Sequence, residues 1–190
     1  HISPSSILVI TFTKAAATEM KERFLRLMEQ SEEKPQGYGN VLFGTFHAVF
    51  FNILKLSYGF TAANILREET RYQYMKEIVD RLKLEIDDEN EFISGVLGEI
   101  SLIKNERISL EHYFSKNCAE DIFRKIFVSY EQRKRNARLI DFDDMLSYTW
   151  ELLTKRPDIL EAWQKKFRYI LVDEFQDINR LQYEIVRMLA

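Results

Sequence analysis

The stretch from Tyr169 to Asn179, YILVDEFQDIN, decides how the rest of the chain is read. Its first four residues carry no polar alternation, which suits a strand buried on both faces of a parallel sheet. It then breaks into two adjacent carboxylates, a glutamine and a third acid. Two readings of Asp173 and Glu174 compete. Acids favour helix N-termini, where free N–H groups and the helix dipole stabilise them, so the pair can be a cap for the following helix. If Ile170 to Val172 lie in a central strand, the same pair emerges at its carboxyl end, where open α/β sheets place their ligands. An aspartate there can hold Mg²⁺ on a nucleotide's phosphates, directly or through water, and the next carboxylate can orient and deprotonate an attacking water.

Two further runs have the same texture: ILVITFT from Ile7 and VLFGTFH from Val41. Each is short and β-branched or aromatic, and each leads into a helix-like segment such as AAATEMKERFLRLM. That alternation predicts a parallel α/β sheet with helices on its faces. The middle of the chain differs. From about His47 to Lys166, apolar residues recur at helical spacing, as in YQYMKEIVDRLKL and EDIFRKIFVSYEQRKR, with almost no strand signal. The expected organisation is an α/β domain formed by residues 1–47 and 167–190, split by a helical insertion over 48–166, with helix predominating. SEEKPQGYGN, from Ser31, is the clearest loop.

Composition bounds the function classes. The 190 residues suffice for one large domain or two small ones, and 46% hydrophobic with 30% charged residues is the balance of a soluble globular protein. No apolar run is long enough to span a bilayer. The single cysteine, Cys118, leaves no internal disulfide, and the three histidines are too far apart for a metal-ligand spacing. With no signal-peptide pattern at HISPSSILVITF, a cytoplasmic setting is expected, and the chain reads as a piece of a longer one. A net charge of −3 argues against a dedicated nucleic-acid binder on the global count. Locally, Arg133, Lys134, Arg135 and Arg138 form a basic cluster after Lys125, and EIDDENE from Glu85 to Glu91 an acidic one; alone, each reads as a solvated surface.

Longer motifs add a resemblance. LVDEFQDINRLQYEIVRML resembles the Walker B segment of the UvrD/Rep/PcrA branch of superfamily 1 helicases. VITFTKAAATEMKER, from Val9, is similar to that family's motif Ia, GTFHAVFFNIL, from Gly44, to its TFH segment, and LIDFDDML, from Leu139, to the stretch preceding Walker B. The four occur in the family's order. The resemblance implies part of a RecA-like domain (1A) of a P-loop NTPase carrying a large all-helical insertion (1B), and an ATP-dependent DNA helicase acting in repair or recombination. ATP and Mg²⁺ are the implied cofactors. The implied partners are single-stranded DNA, junctions of single- and double-stranded DNA, and a nuclease subunit or accessory repair protein. Position by position, it makes Asp173 the Mg²⁺-associated carboxylate and Glu174 the base for ATP hydrolysis. Gln176 and Asp177 would link nucleotide state to the rest of the motor. Phe12 and Thr13 would contact single-stranded DNA, with Thr45 and His47 on the same track. Stacking on an aromatic such as Phe12 is worth about 1–3 kcal/mol per base and tolerates any sequence.

The chain also departs from the family. UvrD-like motif Ia often reads TFTNKAA, whereas Lys14 and Ala15 stand here in place of asparagine and lysine, closer to the AddA or RecB type. No GxxxxGK[ST] loop occurs, so nothing in these residues cradles phosphates, and this polypeptide alone is expected neither to hydrolyse ATP nor to unwind DNA. Three other readings stay open. The Arg133 to Arg138 cluster suits a nucleic-acid-binding or protein-docking module, and the motifs suit a degenerate helicase relic. Asp177, or Asp141, Asp143 and Asp144, could serve a metal-dependent hydrolase, although DFDD also reads as a turn and helix start.

Overall fold

The computed structural model describes residues 2–32, 34 and 36–190. The elements run β1 (Ile7–Thr11), α1 (Lys14–Gln30), β2 (Leu42–Thr45), α2 (Phe46–Tyr58), α3 (Glu68–Leu82), α4 (Glu89–Glu106), α5 (Glu120–Ala137), α6 (Phe142–Lys155), α7 (Pro157–Lys166), β3 (Tyr169–Val172) and α8 (Arg180–Leu189). Glu33 and Pro35 of the expected loop lie outside the described residues. The rest of that loop turns at Gly37, whose φ of 73° favours a residue without a Cβ, into a short 3-10 turn at Tyr38–Asn40. Among the described residues, no helix is long and apolar enough to cross a membrane.

The chain divides into two compact units, residues 1–58 with 148–190, and residues 59–147. The sequence reading set its borders at 47/48 and 166/167. The units divide elsewhere, grouping α2 and α7 with the sheet: α2 buries Phe46, Val49, Phe50, Ile53 and Leu54, and α7 buries Trp163.

In the first unit the strands form a wholly parallel sheet of order β2-β1-β3. β1 is the centre, as its residues dictate: Leu8, Val9, Ile10 and Thr11 are all buried. Burial on both faces was expected for all three strands and is found only at β1. The outer strands each have one partner, and Leu42, Tyr169 and Leu171 stay exposed, Leu171 to 57%. α8 contributes its apolar stripe of Leu181, Ile185, Val186 and Leu189, spaced at helical intervals.

The second unit is helical, as its periodicity predicts. Met75, Ile78 and Val79 of α3, Ile93, Val96, Ile100 and Ile103 of α4, and Phe123, Ile126 and Tyr130 of α5 repeat at three- and four-residue spacing and make one core. The acidic stretch at Glu85 to Glu91 starts α4: the Asp88 carboxylate accepts from the Glu91 amide at 3.0 Å, with Glu89 and Glu91 in the first turn. A single parallel bridge, Ile65 to Ile140, pins the two ends of the unit together. Its bonds run from Leu66 N–H to the Ile140 carbonyl and from Ile140 N–H to the Asn64 carbonyl, each 2.8 Å.

A buried ionic network lies beside that bridge. Lys134, 1% exposed, donates to Asp141 Oδ2 at 2.6 Å and Asp144 Oδ2 at 2.7 Å, and its Nζ is 2.8 Å from Glu131 Oε1. Lys104 pairs with Glu131 and Asp141, each at 3.2 Å, and with Asp144. The Tyr130 hydroxyl donates to Asp141 Oδ2 at 3.1 Å. The two aspartates also cap α6: the Asp141 amide donates to Asp144 and the Asp144 amide to Asp141, at 3.0 and 2.8 Å. DFDD is therefore a helix start. Oxygens of Glu131, Asp141 and Asp144 lie within 4.8 Å of one another, as metal ligands would, but two ammonium groups already sit among them.

This network corrects the reading of Arg133 to Arg138 as one solvated basic face. Lys134 points inward, and Arg133 pairs with Glu77 at 2.5 Å and lies 4.1 Å from the Tyr74 ring centre. Only Arg135 and Arg138 of the four are fully exposed.

Burial disfavours every charge in the network. At Lys104 the charges of Asp144, Asp141 and Glu131 outweigh burial and hold the ammonium well above its ordinary pKa. At Asp141, burial is likewise outweighed, by Lys104 and Lys134, and its carboxyl falls well below the usual range. At Asp144, burial wins and the carboxyl sits above that range. Asp141 therefore stabilises the fold above the ordinary carboxylate pKa and loses that contribution as pH falls through its lowered value. Asp144 has the opposite sign and offsets part of the acid effect, while the Lys104 contribution is lost only as pH climbs past its raised value. Lys134→Met, which strands two buried carboxylates with a single lysine, is expected to cost about 3–5 kcal/mol in urea unfolding at neutral pH. The deficit should narrow below about pH 4, because the unpaired acids of the variant take up protons first. An unchanged urea midpoint at neutral pH would contradict the network's structural role.

Candidate functional site

Parallel pairing brings three chain segments to one edge of the sheet. β1 and β2 align Thr11 with Thr45, and β1 and β3 align Ile10 with Val172, so the residues after each strand emerge side by side at the carboxyl edge. The ladder runs one residue past β3: the Asp173 amide donates to the Ile10 carbonyl at 2.9 Å. That bond sets the half-buried Asp173 carboxylate beside Thr11, whose Oγ1 donates to Asp173 Oδ2 at 3.3 Å. No other side-chain hydrogen bond reaches that carboxylate among the described residues.

The next residue, Glu174, takes the left-handed conformation, φ 49° and ψ 46°, which is unusual for a residue with a side chain. It is exposed, and its carboxylate accepts a hydrogen bond from the Gln176 side-chain amide. Gln176 and Asp177 lie in a 3-10 turn, Phe175–Asp177, and both are exposed. α8 starts beyond this turn and is capped by Asn179, whose side chain accepts from the Gln182 amide at 2.8 Å while Gln182 Oε1 accepts from the Asn179 amide at 3.0 Å. Glu174 occupies the position before the 3-10 turn but makes no side-chain cap there. The cap reading of Asp173 and Glu174 thus has no hydrogen bond to support it.

On the other side of β1, Phe12 is 37% exposed, with its ring centre 5.3 Å from that of Phe46. Phe46 in turn lies 5.9 Å from the buried Phe50, so Phe12 rests on a packed aromatic base and offers its remaining surface to solvent. Thr13 caps α1, its Oγ1 accepting from the Ala16 amide at 3.1 Å, and Thr45 Oγ1 accepts from the Ala48 amide in the first turn of α2 at 3.2 Å. Each threonine keeps its own O–H to donate outward. His47 sits half-buried in that same turn of α2.

The edge has two electrostatic characters. α1 and α2 both begin there with no acid in the first turn, so free N–H groups and positive dipole ends face outward with Lys14. A groove of about 580 Å³ between them is lined by Lys14, Thr18, Lys21, Gly44 and Thr45, with Glu22 as its one acid. That half suits phosphate-type anions. The β3 half carries Asp173, Glu174 and Asp177. Asp173 offers a half-buried carboxylate with one oxygen held and the other without a hydrogen-bond partner among the described residues, which fits a Mg²⁺ ion that keeps most of its waters. A second cleft, about 530 Å³, is lined mostly by aliphatic and aromatic side chains such as Val9, Phe24, Leu27 and Leu171, with Arg23 and Asp173 as its charged members, so Asp173 borders an apolar cavity. Sequence reasoning did not single out Thr11 or Phe46. The available signal was a threonine closing an otherwise aliphatic strand.

The family described as UvrD/REP helicase N-terminal domain matches residues 1–190. The YjcD protein of Bacillus subtilis (strain 168) is 37% identical over 192 residues, covering 100% of this chain and 25% of that protein. ATP-dependent DNA helicase PcrA of the same organism is 34% identical over 197 residues, with 100% of this chain and 25% of the relative covered. DNA helicase II of Escherichia coli (strain K12) is 32% identical over 197 residues, covering 100% and 26%. The chain therefore spans about a quarter of the length of these curated relatives. With its whole length matched, this chain belongs to the UvrD/REP helicase N-terminal domain family.

Proposed function

We propose that this chain supplies the metal- and water-directing half of an ATP hydrolysis site, together with part of a single-stranded DNA track, to an ATP-dependent DNA helicase. The observation that carries the reading is the meeting of the Thr11–Asp173 pair and Glu174 with Phe12, Thr13 and Thr45 at one edge of a parallel sheet, in a chain of this family. In this reading residues 1–47 and 167–190 belong to the RecA-like domain 1A and the helical insertion over 48–166 carries subdomain 1B, with α2 and α7 as the parts of that insertion that group with the sheet.

Asp173 would hold Mg²⁺ on ATP, where the ion would supply neutralisation of charge developing on the phosphates. Glu174 takes the proton of the attacking water. Gln176 reaches the Glu174 carboxylate and so senses whether that carboxylate is engaged, and Asp177 fixes the turn that follows, through its amide to the Glu174 carbonyl at 2.9 Å. Phe12 stacks on a base, Thr13 and Thr45 donate to phosphates, and His47 lines the same track. The phosphate-cradling loop is not among these 190 residues, which carry no GxxxxGK[ST] pattern. The rival reading, a binding module built on Arg133 to Arg138, is weakened because Lys134 and Arg133 are engaged inside their own unit.

In the full-length protein, DNA-stimulated ATP hydrolysis should fall about 10²–10⁴-fold in Glu174→Gln. Turnover at the wild-type rate would refute the assignment, and the 190-residue polypeptide by itself should show none. Phe12→Ala should weaken single-stranded DNA binding by about 1–3 kcal/mol, whatever the base composition of the strand. A loss confined to particular sequences, or no loss, would remove Phe12 from the track.

A further inference from the structure

We infer that Thr11 is a positioning residue for the Asp173 carboxylate, presenting it to the metal of the nucleotide site; the inference rests on the function proposed above. β1 reads Ile-Leu-Val-Ile-Thr, and its last residue is as buried as the aliphatic ones, at 2% exposure. Valine has nearly the same shape, so packing alone does not call for a hydroxyl there. A buried hydroxyl is costly unless it is hydrogen-bonded. The side-chain partner this one has is Asp173, which lies 162 residues away in the sequence.

The backbone fixes the pair. Ile10 stands opposite Val172, and the Asp173 amide donates to the Ile10 carbonyl, so the next residue of each chain is carried to the same level at the strand ends. Thr11 is β-branched and therefore stiff about χ1. It also sits on the central strand, held by neighbours on both edges. Its O–H is thus a rigid donor that occupies Oδ2 and leaves the other carboxylate oxygen to a cation or to a water bound on it. Partners of this kind orient a ligating carboxylate and commonly matter almost as much as the ligand itself.

The test uses the full-length protein and a fluorescent non-hydrolysable ATP analogue, titrated at increasing Mg²⁺. Thr11→Val removes the donor and keeps the shape; Thr11→Ser keeps the donor. Thr11→Val should raise the half-saturating Mg²⁺ concentration roughly 10-fold, the scale of one lost hydrogen bond to a charged acceptor. Thr11→Ser should restore the wild-type value although it gives up a buried methyl, and Thr11→Val should melt at the wild-type temperature. An unchanged Mg²⁺ requirement in Thr11→Val overturns the inference, whatever its melting temperature, as do equal shifts in the two variants. Glu174→Gln, assayed for turnover in parallel, separates the two levels. If it abolishes hydrolysis while Thr11→Val leaves Mg²⁺ dependence intact, the proposed function stands and only the role of Thr11 falls. If wild-type binding of the analogue is indifferent to Mg²⁺, the proposed function fails and the inference fails with it.

Discussion

β1 is hydrogen-bonded in parallel to a strand on each side, and the position of every candidate side chain in the first unit follows from that pairing. A parallel ladder makes all strands point the same way, so the segments leaving β1, β2 and β3 emerge at one edge. Phe12 and Thr13 leave from the first, Thr45 and Phe46 from the second, Asp173 and Glu174 from the third. Because the register is set by backbone bonds, the Thr11 hydroxyl meets the Asp173 carboxylate across most of the length of the chain. The same directionality puts the N-termini of α1 and α2 at that edge, next to the carboxylates that follow β3. A half with the chemistry to suit anions and a half with the chemistry to suit a cation therefore share one end of the sheet. That pairing suits a ligand that brings its own metal and a polymer that brings its own phosphates.

Parallel strands cannot be joined by a tight turn, and the connection from β2 to β3 carries six helices. The second unit lies within that connection and holds itself together by two devices. One is an apolar core repeated at helical spacing, and the other is the Lys104 and Lys134 network beneath the start of α6. Breaking such a network is costly because it strands a charge, whereas an intact one contributes little net stability compared with apolar packing. Asp141 and Asp144 serve in it as both helix cap and counter-ions at the start of α6.

Much of this was legible in the residues. Aliphatic runs without alternation identified β1, β2 and β3, helical spacing identified the helical middle, and a carboxylate pair at the end of an apolar run pointed to the candidate site. DFDD was legible as a helix start. Two features were not. A buried lysine looks like any other in a basic run, and Lys134 is distinguished by its burial and by partners that include two aspartates 7 and 10 residues onward as well as Glu131 one turn earlier. Exposure of Leu171 and Tyr169 depends on which strands flank β3, which local composition does not record. Thr11 was hidden for the same reason: a threonine is an equally good strand residue whether its hydroxyl meets water or a carboxylate.

The most direct test is a structure of the full-length protein with Mg²⁺, a non-hydrolysable ATP analogue and a single-stranded oligonucleotide. The account predicts the Asp173 carboxylate either on the ion, at about 2.1 Å, or one water away. It also predicts Glu174 within hydrogen-bond reach of a water near the terminal phosphate, and Phe12 against a base. A nucleotide bound away from the carboxyl edge of β3, with Asp173 and Glu174 touching neither metal nor water of the site, would contradict it.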